Sequence, residues 1–373
     1  MGANGHVVYV TADKIGQENH GAGSVTLWES RGLRKWSIQE NLVDNYNLDR
    51  EWFSMFLKEE ERATNNPFMY DDVMMIGACK YQEPRLFHFY AGTFSNSIEV
   101  LKQKGCKIVY TAAAHDIKAS ITAHKVMGVP YNYPHITDPE QWMRYIKGYL
   151  LADLVICPST HSKEVMEGFG CKNVIVIPHG ISSMQFAAPI KPPPKGFRVG
   201  YLGNCGAPDK GLVHLLRAWR HLEYKDATLC IAGHDSSSPW VRHLVGNYGG
   251  GNIELCGWQE NINDFYDSLS VYVQPSVTEG FGIEVLEAMS RGRHVVCSKG
   301  AGASDLVCPE FGRVVIDNLN PLKWAEAIDH YMNSPDRLVV NQEAIKKATE
   351  YVWPSEIVPK YVAAYDSLKG ESK

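Results

Sequence analysis

Along this chain, short β-branched and apolar runs recur, each followed by a segment with apolar positions at three- and four-residue spacing. In the first half the runs are HVVYVTA, VMMIGA, LFHFYAG, KIVYTAA, DLVICPS and NVIVIP. In the second half they are FRVGYLG, ATLCIAG, NIELCGW, SVYVQPS, HVVCSKG and RVVID. Helix candidates such as GLVHLLRAWRHL and FGIEVLEAMSRG stand between them. Continuous apolar strands alternating with amphipathic helices predict an α/β protein with parallel sheets covered on both faces.

The pattern breaks at IKPPPKG, residues 190–196. Three consecutive prolines join neither a helix nor a central strand, so this stretch reads as a stiff extended connector about which two domains could close. The expected organisation is a first doubly wound domain over 1–185, a linker over 186–196 and a second doubly wound domain over 197–352. A C-terminal helix over 353–373, with Ile357, Tyr361 and Tyr365 at i, i+4 and i+8, is expected to pack back on the first domain. Two such domains leave a cleft at the C-terminal ends of their strands, where helix N-termini present free N–H groups to ligands.

Candidate chemistry concentrates in SVYVQPSVTEGFGIEVLEAMSRG, residues 270–292. A buried strand ends at Gln274-Pro275-Ser276, a loop carries Glu279, and Gly280, Phe281 and Gly282 lead into a helix bearing Glu287. The glycines allow a tight turn and close approach of backbone amides to a ligand. The helix N-terminus suits a diphosphate. Glu279 falls at the cleft mouth and Glu287 about two turns into the helix, so the two carboxylates can reach different parts of one elongated ligand. In RVGYLGNCGAPDKG, residues 198–211, a strand and Gly-rich turn lead to Lys210-Gly211 at a helix start, where a lysine can place its charge on a phosphate.

Glu279 and Glu287, separated by seven residues with GFG directly after the first, resemble the E-x7-E signature of retaining GT-B glycosyltransferases, family 4 in particular. The resemblance runs through both domains in order and is stronger in the second. It implies a GT-B fold of two Rossmann-like domains and a hexosyltransferase that moves a sugar from a nucleotide-sugar donor to an acceptor hydroxyl. By this resemblance Glu279 contacts the donor sugar, Glu287 the ribose hydroxyls, and the amides of Gly280, Phe281 and Gly282 flank sugar and phosphates. Lys210 matches the lysine of the family's diphosphate clamp, whereas Asn204 stands where the family has an arginine, which replaces a charge by hydrogen bonds alone. His115, in TAAAHDI, is similar to the family histidine that contacts the donor sugar, and Gly21 and Gly23, in NHGAGSVT, to its N-terminal glycine loop. A histidine at a strand end and glycines at a turn serve structure equally well. Trp258, in CGWQEN, either stacks on the nucleotide base or is an ordinary surface or core tryptophan. IPHGIS resembles the family's turn into the linker.

The resemblance further implies transfer with retention, no covalent nucleophile and no metal or other cofactor; the departing phosphate helps take the acceptor proton. Glu279 then orients and stabilises the donor, and the charge of Lys210 favours departure of the diphosphate. The donor is UDP-, GDP- or ADP-linked; the acceptor is a sugar, a lipid carrier, a protein or another small molecule. Two other readings share the fold: a catalytically idle nucleotide-sugar-binding protein, kept open by Asn204, and a nucleotide-sugar epimerase. A nicotinamide oxidoreductase is disfavoured because GYLGNCG lacks the GxGxxG spacing.

Composition narrows the field. A net charge of -5 over 373 residues lacks the basic surplus expected of a nucleic-acid binder. The nine cysteines include no CxxC pair, several lie inside apolar runs, and the odd count suits no disulfide framework. MGANGHVVYVTAD lacks a basic region before a long apolar core, so no secretory leader is expected and the cytoplasm is the natural compartment. RGLRKW, residues 31–36, offers a basic and aromatic touch point for a membrane surface, or is a solvated helix end. VPYNYPHITDPEQW, residues 129–142, is a candidate for acceptor contacts.

Overall fold

The computed structural model describes residues 7–11, 39–43, 86–90, 95–112, 116–131, 138–222, 224 and 226–369. In the first domain, six parallel strands run in the spatial order β2-β1-β3-β4-β5-β6. They are β1 (Val7–Thr11), β2 (Gln39–Val43), β3 (Leu86–Tyr90), β4 (Lys107–Thr111), β5 (Leu154–Cys157) and β6 (Val174–Val176). The run VMMIGA lies outside the described residues. β2 is not announced by the apolar pattern: three of the five residues of QENLV are polar, and among the described residues it sits at the sheet edge with β1 as its one strand partner. Helices α1 (Ser95–Gln103), α2 (Ile117–Met127), α3 (Pro139–Leu151) and α4 (Thr160–Gly168) complete the described part of this domain.

The second domain holds β7 (Phe197–Leu202), β8 (Ala227–Ala232), β9 (Ile253–Gly257), β10 (Val271–Gln274), β11 (His294–Ser298) and β12 (Gly312–Val315). Their order is β12-β11-β10-β7-β8-β9, all parallel. Counted from β7, this is the 3-2-1-4-5-6 order of the doubly wound dinucleotide fold, which reverses direction between β7 and β10. Around it lie α5 (Leu212–Arg220), α6 (Pro239–Tyr248), α7 (Ile262–Asp267), α8 (Ile283–Ser290), α9 (Pro321–Met332) and α10 (Gln342–Thr349). Every residue of β10 and β11 is buried, as strands covered on both faces must be.

After α10 the chain returns to the first domain. A turn over Trp353–Ile357 leads to α11 (Val358–Lys369). Trp353, Ile357, Tyr361 and Tyr365 pack with Leu86, Val109 and Ile156 of the first sheet. His88 of β3 fixes the register of that contact: its Nδ1 is 2.6 Å from the Tyr365 hydroxyl and its Nε2 is 2.7 Å from Thr111 Oγ1. Burial lowers the His88 pKa to about 3, so the ring is neutral and offers one donor and one acceptor to these two hydroxyls.

The start of the Pro-rich connector is bonded to the second domain. An extended chain carrying prolines has carbonyls without intrachain donors, and two buried arginines flanking Gly292 supply them. Arg291 donates to the carbonyls of Gln185 (3.1 Å), Ala188 (3.0 Å) and Pro189 (2.8 Å), and Arg293 to that of Lys191. Both are held by Asp267 at the end of α7, which accepts from Arg291 Nε at 3.0 Å and Nη2 at 2.7 Å and from Arg293 Nη2 at 3.1 Å. Residues 185–191 are thereby fastened to the second domain. The two chain crossings run side by side instead at Ile181 and Val352: the Ile181 amide donates to Tyr351 O (2.9 Å) and the Trp353 amide to Ile181 O (3.1 Å).

Candidate active site

The strand order explains which loops meet. β7 and β10 are neighbours at the reversal point, so the loops leaving their C-terminal ends lie side by side. The β7 loop carries Asn204 and a 3-10 turn over Pro208–Lys210; the β10 loop carries Glu279. Gly211 sits between turn and α5 at φ 70°, and a Cβ there would stand 1.9 Å from the Pro275 carbonyl oxygen. Only glycine lets the two loops approach this closely. The result is an ion pair between Lys210 Nζ and Glu279 Oε2, with 25% and 13% of the two side chains exposed.

Glu279 is held from both sides. Within its own domain its amide donates to Gly300 O (2.9 Å), and its carbonyl accepts from the Gly302 amide (3.1 Å). From the first domain, Ser159 Oγ and Ser162 Oγ at the start of α4 donate to the Gly280 carbonyl at 2.7 and 2.9 Å. The Asp116 amide donates to Thr278 Oγ1 at 2.9 Å, and His161 Nε2 lies 3.3 Å from the same oxygen. Ser120 of α2 donates to Asp209 Oδ1 at 2.7 Å, next to Lys210. The loop bearing the central carboxylate is thus a seam between the domains.

Charge on this seam is dense. Burial would depress the Lys210 pKa, but the carboxylates of Glu279, Glu284 and Asp209 outweigh it and raise the value, so the ammonium is firmly charged. Glu284, in the first turn of α8, is raised by burial and by Glu279, with Lys210 acting against them. Glu287, one turn further along, is pushed up to about 8 by burial and by Glu284, although the Tyr266 hydroxyl donates to its Oε2 at 2.8 Å. Glu279, Glu284 and Asp209 share the Lys210 ammonium, and the crowded carboxyls gain from hydroxyl groups that donate to them.

Among the residues singled out in the sequence, Lys210 and Glu279 meet directly, and Glu287 joins them electrostatically through Glu284. Gly282 caps α8 at φ 91°, and Phe281 is buried with its ring edge-on to His179, centroids 5.4 Å apart. The Gly280 carbonyl is engaged by the two serines. Asn204 is exposed, and its Oδ1 accepts from the Gly206 amide at 3.2 Å, so the side-chain oxygen closes its own turn. Trp258, just past β9, is 50% exposed. His115, Gly21 and Gly23 lie outside the described residues, as do RGLRKW and positions 132–137 of the Tyr/Pro/His-rich stretch.

Sequence reasoning missed Glu284, Ser159, Ser162 and Asp209. Glu284 was legible as a first-turn carboxylate of α8. The serines look like an ordinary helix cap, and Ser159 does cap α4, accepting from the Ser162 amide at 3.1 Å.

Residues 196–334 match the family model described as glycosyl transferases group 1. The match falls within the second domain. The matched segment holds the Lys210–Glu279 pair and Glu287. A D-inositol 3-phosphate glycosyltransferase of Corynebacterium urealyticum is 28% identical over 110 residues, covering 29% of this chain and 26% of that protein. The alignment therefore spans about a quarter of that relative's length. A glycosyltransferase of Rickettsia africae superposes with a TM-score of 0.70 at 16% identity, over 99% of this chain and 100% of that one. Anabaena Alr3699/HepE in complex with UDP-glucose superposes with a TM-score of 0.66 at 16% identity, over 98% and 99%. These likenesses speak for the fold, which is GT-B. No helix among the described residues is long and apolar enough to cross a membrane.

Proposed function

We propose that this protein is a metal-independent retaining glycosyltransferase that uses a nucleoside-diphosphate sugar. The observation that carries the reading is the Lys210–Glu279 pair at the reversal point of the second domain, facing the first domain across the seam. A departing diphosphate develops charge as the sugar–phosphate bond breaks; Lys210 and the start of α8 supply fixed positive potential there. Glu279 accepts hydrogen bonds from the donor sugar once Lys210 turns to phosphate, and Glu287 accepts from the ribose. Retention follows if the acceptor hydroxyl approaches the face that the phosphate leaves and gives its proton to that phosphate. Because Alr3699/HepE was solved with UDP-glucose, uridine donors head the candidates, with GDP- and ADP-sugars behind them; the acceptor is a sugar, a lipid carrier or a small molecule.

The direct test is thermal unfolding with UDP, GDP, ADP and their sugar conjugates, without added metal. A ligand at ~100 times its Kd stabilises the folded state by about 2.7 kcal/mol, so one nucleotide family raises Tm clearly and its sugar conjugate releases nucleotide when acceptor is added. No shift across the panel sinks the reading. A catalytically idle nucleotide-sugar binder is the second reading, favoured by Asn204, whose oxygen is spent on its own turn where a clamp would carry charge. It predicts the same shift with no nucleotide release.

Glu287 adds a pH signature. Its pKa of about 8 leaves it largely protonated at neutral pH, whereas ribose hydroxyls favour the ionised form. Nucleotide binding should therefore lower that pKa and release a proton, and affinity should climb as pH rises from 6.5 toward 8.5. Calorimetry in buffers of different ionisation enthalpy reads the proton directly. A Glu287→Gln variant with an unchanged pH profile would refute the ribose role.

A further inference from the structure

Away from the cleft, three metal-binding side chains converge on one face of the second sheet. In the β8–β9 ladder Cys230 lies opposite Glu254, and Cys256 follows two residues later, beside the register shift between Ile231 and Ala232. The ligating atoms of Cys230, Glu254 and Cys256 lie within 4.8 Å of one another, the one such group among the described residues. Two ligands of a tetrahedral zinc, each about 2.3 Å from the ion, stand about 3.8 Å apart. The two spacings differ by about an ångström.

We propose that Cys230, Cys256 and Glu254 form a structural site for one thiophilic divalent cation such as Zn2+, with the fourth position open to water. Binding replaces the two thiol protons, which leave to solvent, with two metal–sulfur bonds; nothing is oxidised. Charge balances: the dication, two thiolates, the Glu254 carboxylate and the Arg198 guanidinium sum to zero. Arg198 Nη2 holds Glu254 Oε2 at 2.8 Å, which leaves Oε1 for the ion and orients it from behind. Access is from solvent, since Cys230 is fully buried but Cys256 is half-buried and Glu254 is 51% exposed.

A disulfide is the competing use of two neighbouring thiols. Glu254 beside the two thiols supplies a hard third ligand that a disulfide would not use, which favours an ion. The site also sits where it can stiffen the approach to Trp258. The Cys256 carbonyl accepts from Gln259 Nε2 at 2.8 Å, and the Gly257 carbonyl from the Gly233 amide at 2.9 Å.

The test is titration of the full, reduced, chelator-treated chain with Cd2+, followed by thiolate-to-metal charge-transfer absorption and competition with Zn2+. Wild type and Cys308→Ser, which alters a half-buried cysteine elsewhere, should bind one ion per chain and show the band. Cys256→Ser, at a position open enough to keep the fold, should lose the band and at least tenfold in affinity; Glu254→Gln should keep the band and lose affinity. Absence of a band in the wild type, or equal binding by Cys256→Ser, overturns the proposal. So does a Cys230–Cys256 disulfide found by mass spectrometry after mild treatment with a small-molecule disulfide.

Discussion

Replacing Lys210 with alanine should lower the rate of sugar transfer by about 10²–10³-fold, the scale on which a single preorganised group acts on developing transition-state charge. The reason is positional. Lys210 holds the strongly charged ammonium of the seam, raised by Glu279, Glu284 and Asp209 against its own desolvation. Nothing else identified in the β7 loop replaces it, since Asn204 there is neutral. Glu279→Gln should act on the same step from the donor side, because the amide keeps the shape and loses the charge. As the two side chains touch, the double variant should fall short of the product of the single losses. Circular dichroism should show both folded, since each side chain keeps some exposure. Full activity in either single variant would remove the pair from the mechanism.

The second large effect concerns stability. Asp267→Ala should cost about 3–5 kcal/mol, the range for removing one partner from a buried ion pair. Arg291 and Arg293 are both buried, at 1% and 0% side-chain exposure, and Asp267 at 3% is the carboxylate between them. Without it two guanidiniums face each other away from water, and the carbonyls of residues 185–191 lose oriented donors. The unfolding midpoint in urea should drop accordingly, with the second domain failing first. Breaking the exposed Lys323–Glu326 pair, at 50% and 64% exposure, should cost no more than about 0.5 kcal/mol. If the two variants prove equally mild, the clamp is not what holds the linker.

Asp267, Arg291 and Arg293 also show where reading the chain reaches its limit. RGR at 291–293 looks like the end of a helix and the approach to a strand, and it is both. That its arginines turn inward to a carboxylate 24 and 26 residues away and to linker carbonyls is a matter of where α7 and the linker pack. IKPPPKG read correctly as extended and non-helical, because proline removes donors and fixes φ. That the carbonyls of residues 185–191 are bonded to the second domain was not legible, because their donors come from a distant segment. β2 escaped for the opposite reason: an edge strand needs little apolar content once β1 offers it a ladder.

The sequence by itself determined the α/β class, the strands SVYVQPS, HVVCSKG and ATLCIAG, the glycine-bracketed Glu279 loop and the helix carrying Glu287. These are local matters: both faces of a central strand must be apolar, and a loop at a strand end must turn where glycine permits. Tertiary structure alone decided that Lys210 meets Glu279 across 69 residues, that serines of the first domain grip Gly280, and that Glu287 becomes a weak acid. Those outcomes depend on strand order and desolvation, since β10 lies beside β7 and a carboxyl's pKa follows the charges and water around it rather than its neighbours in the chain.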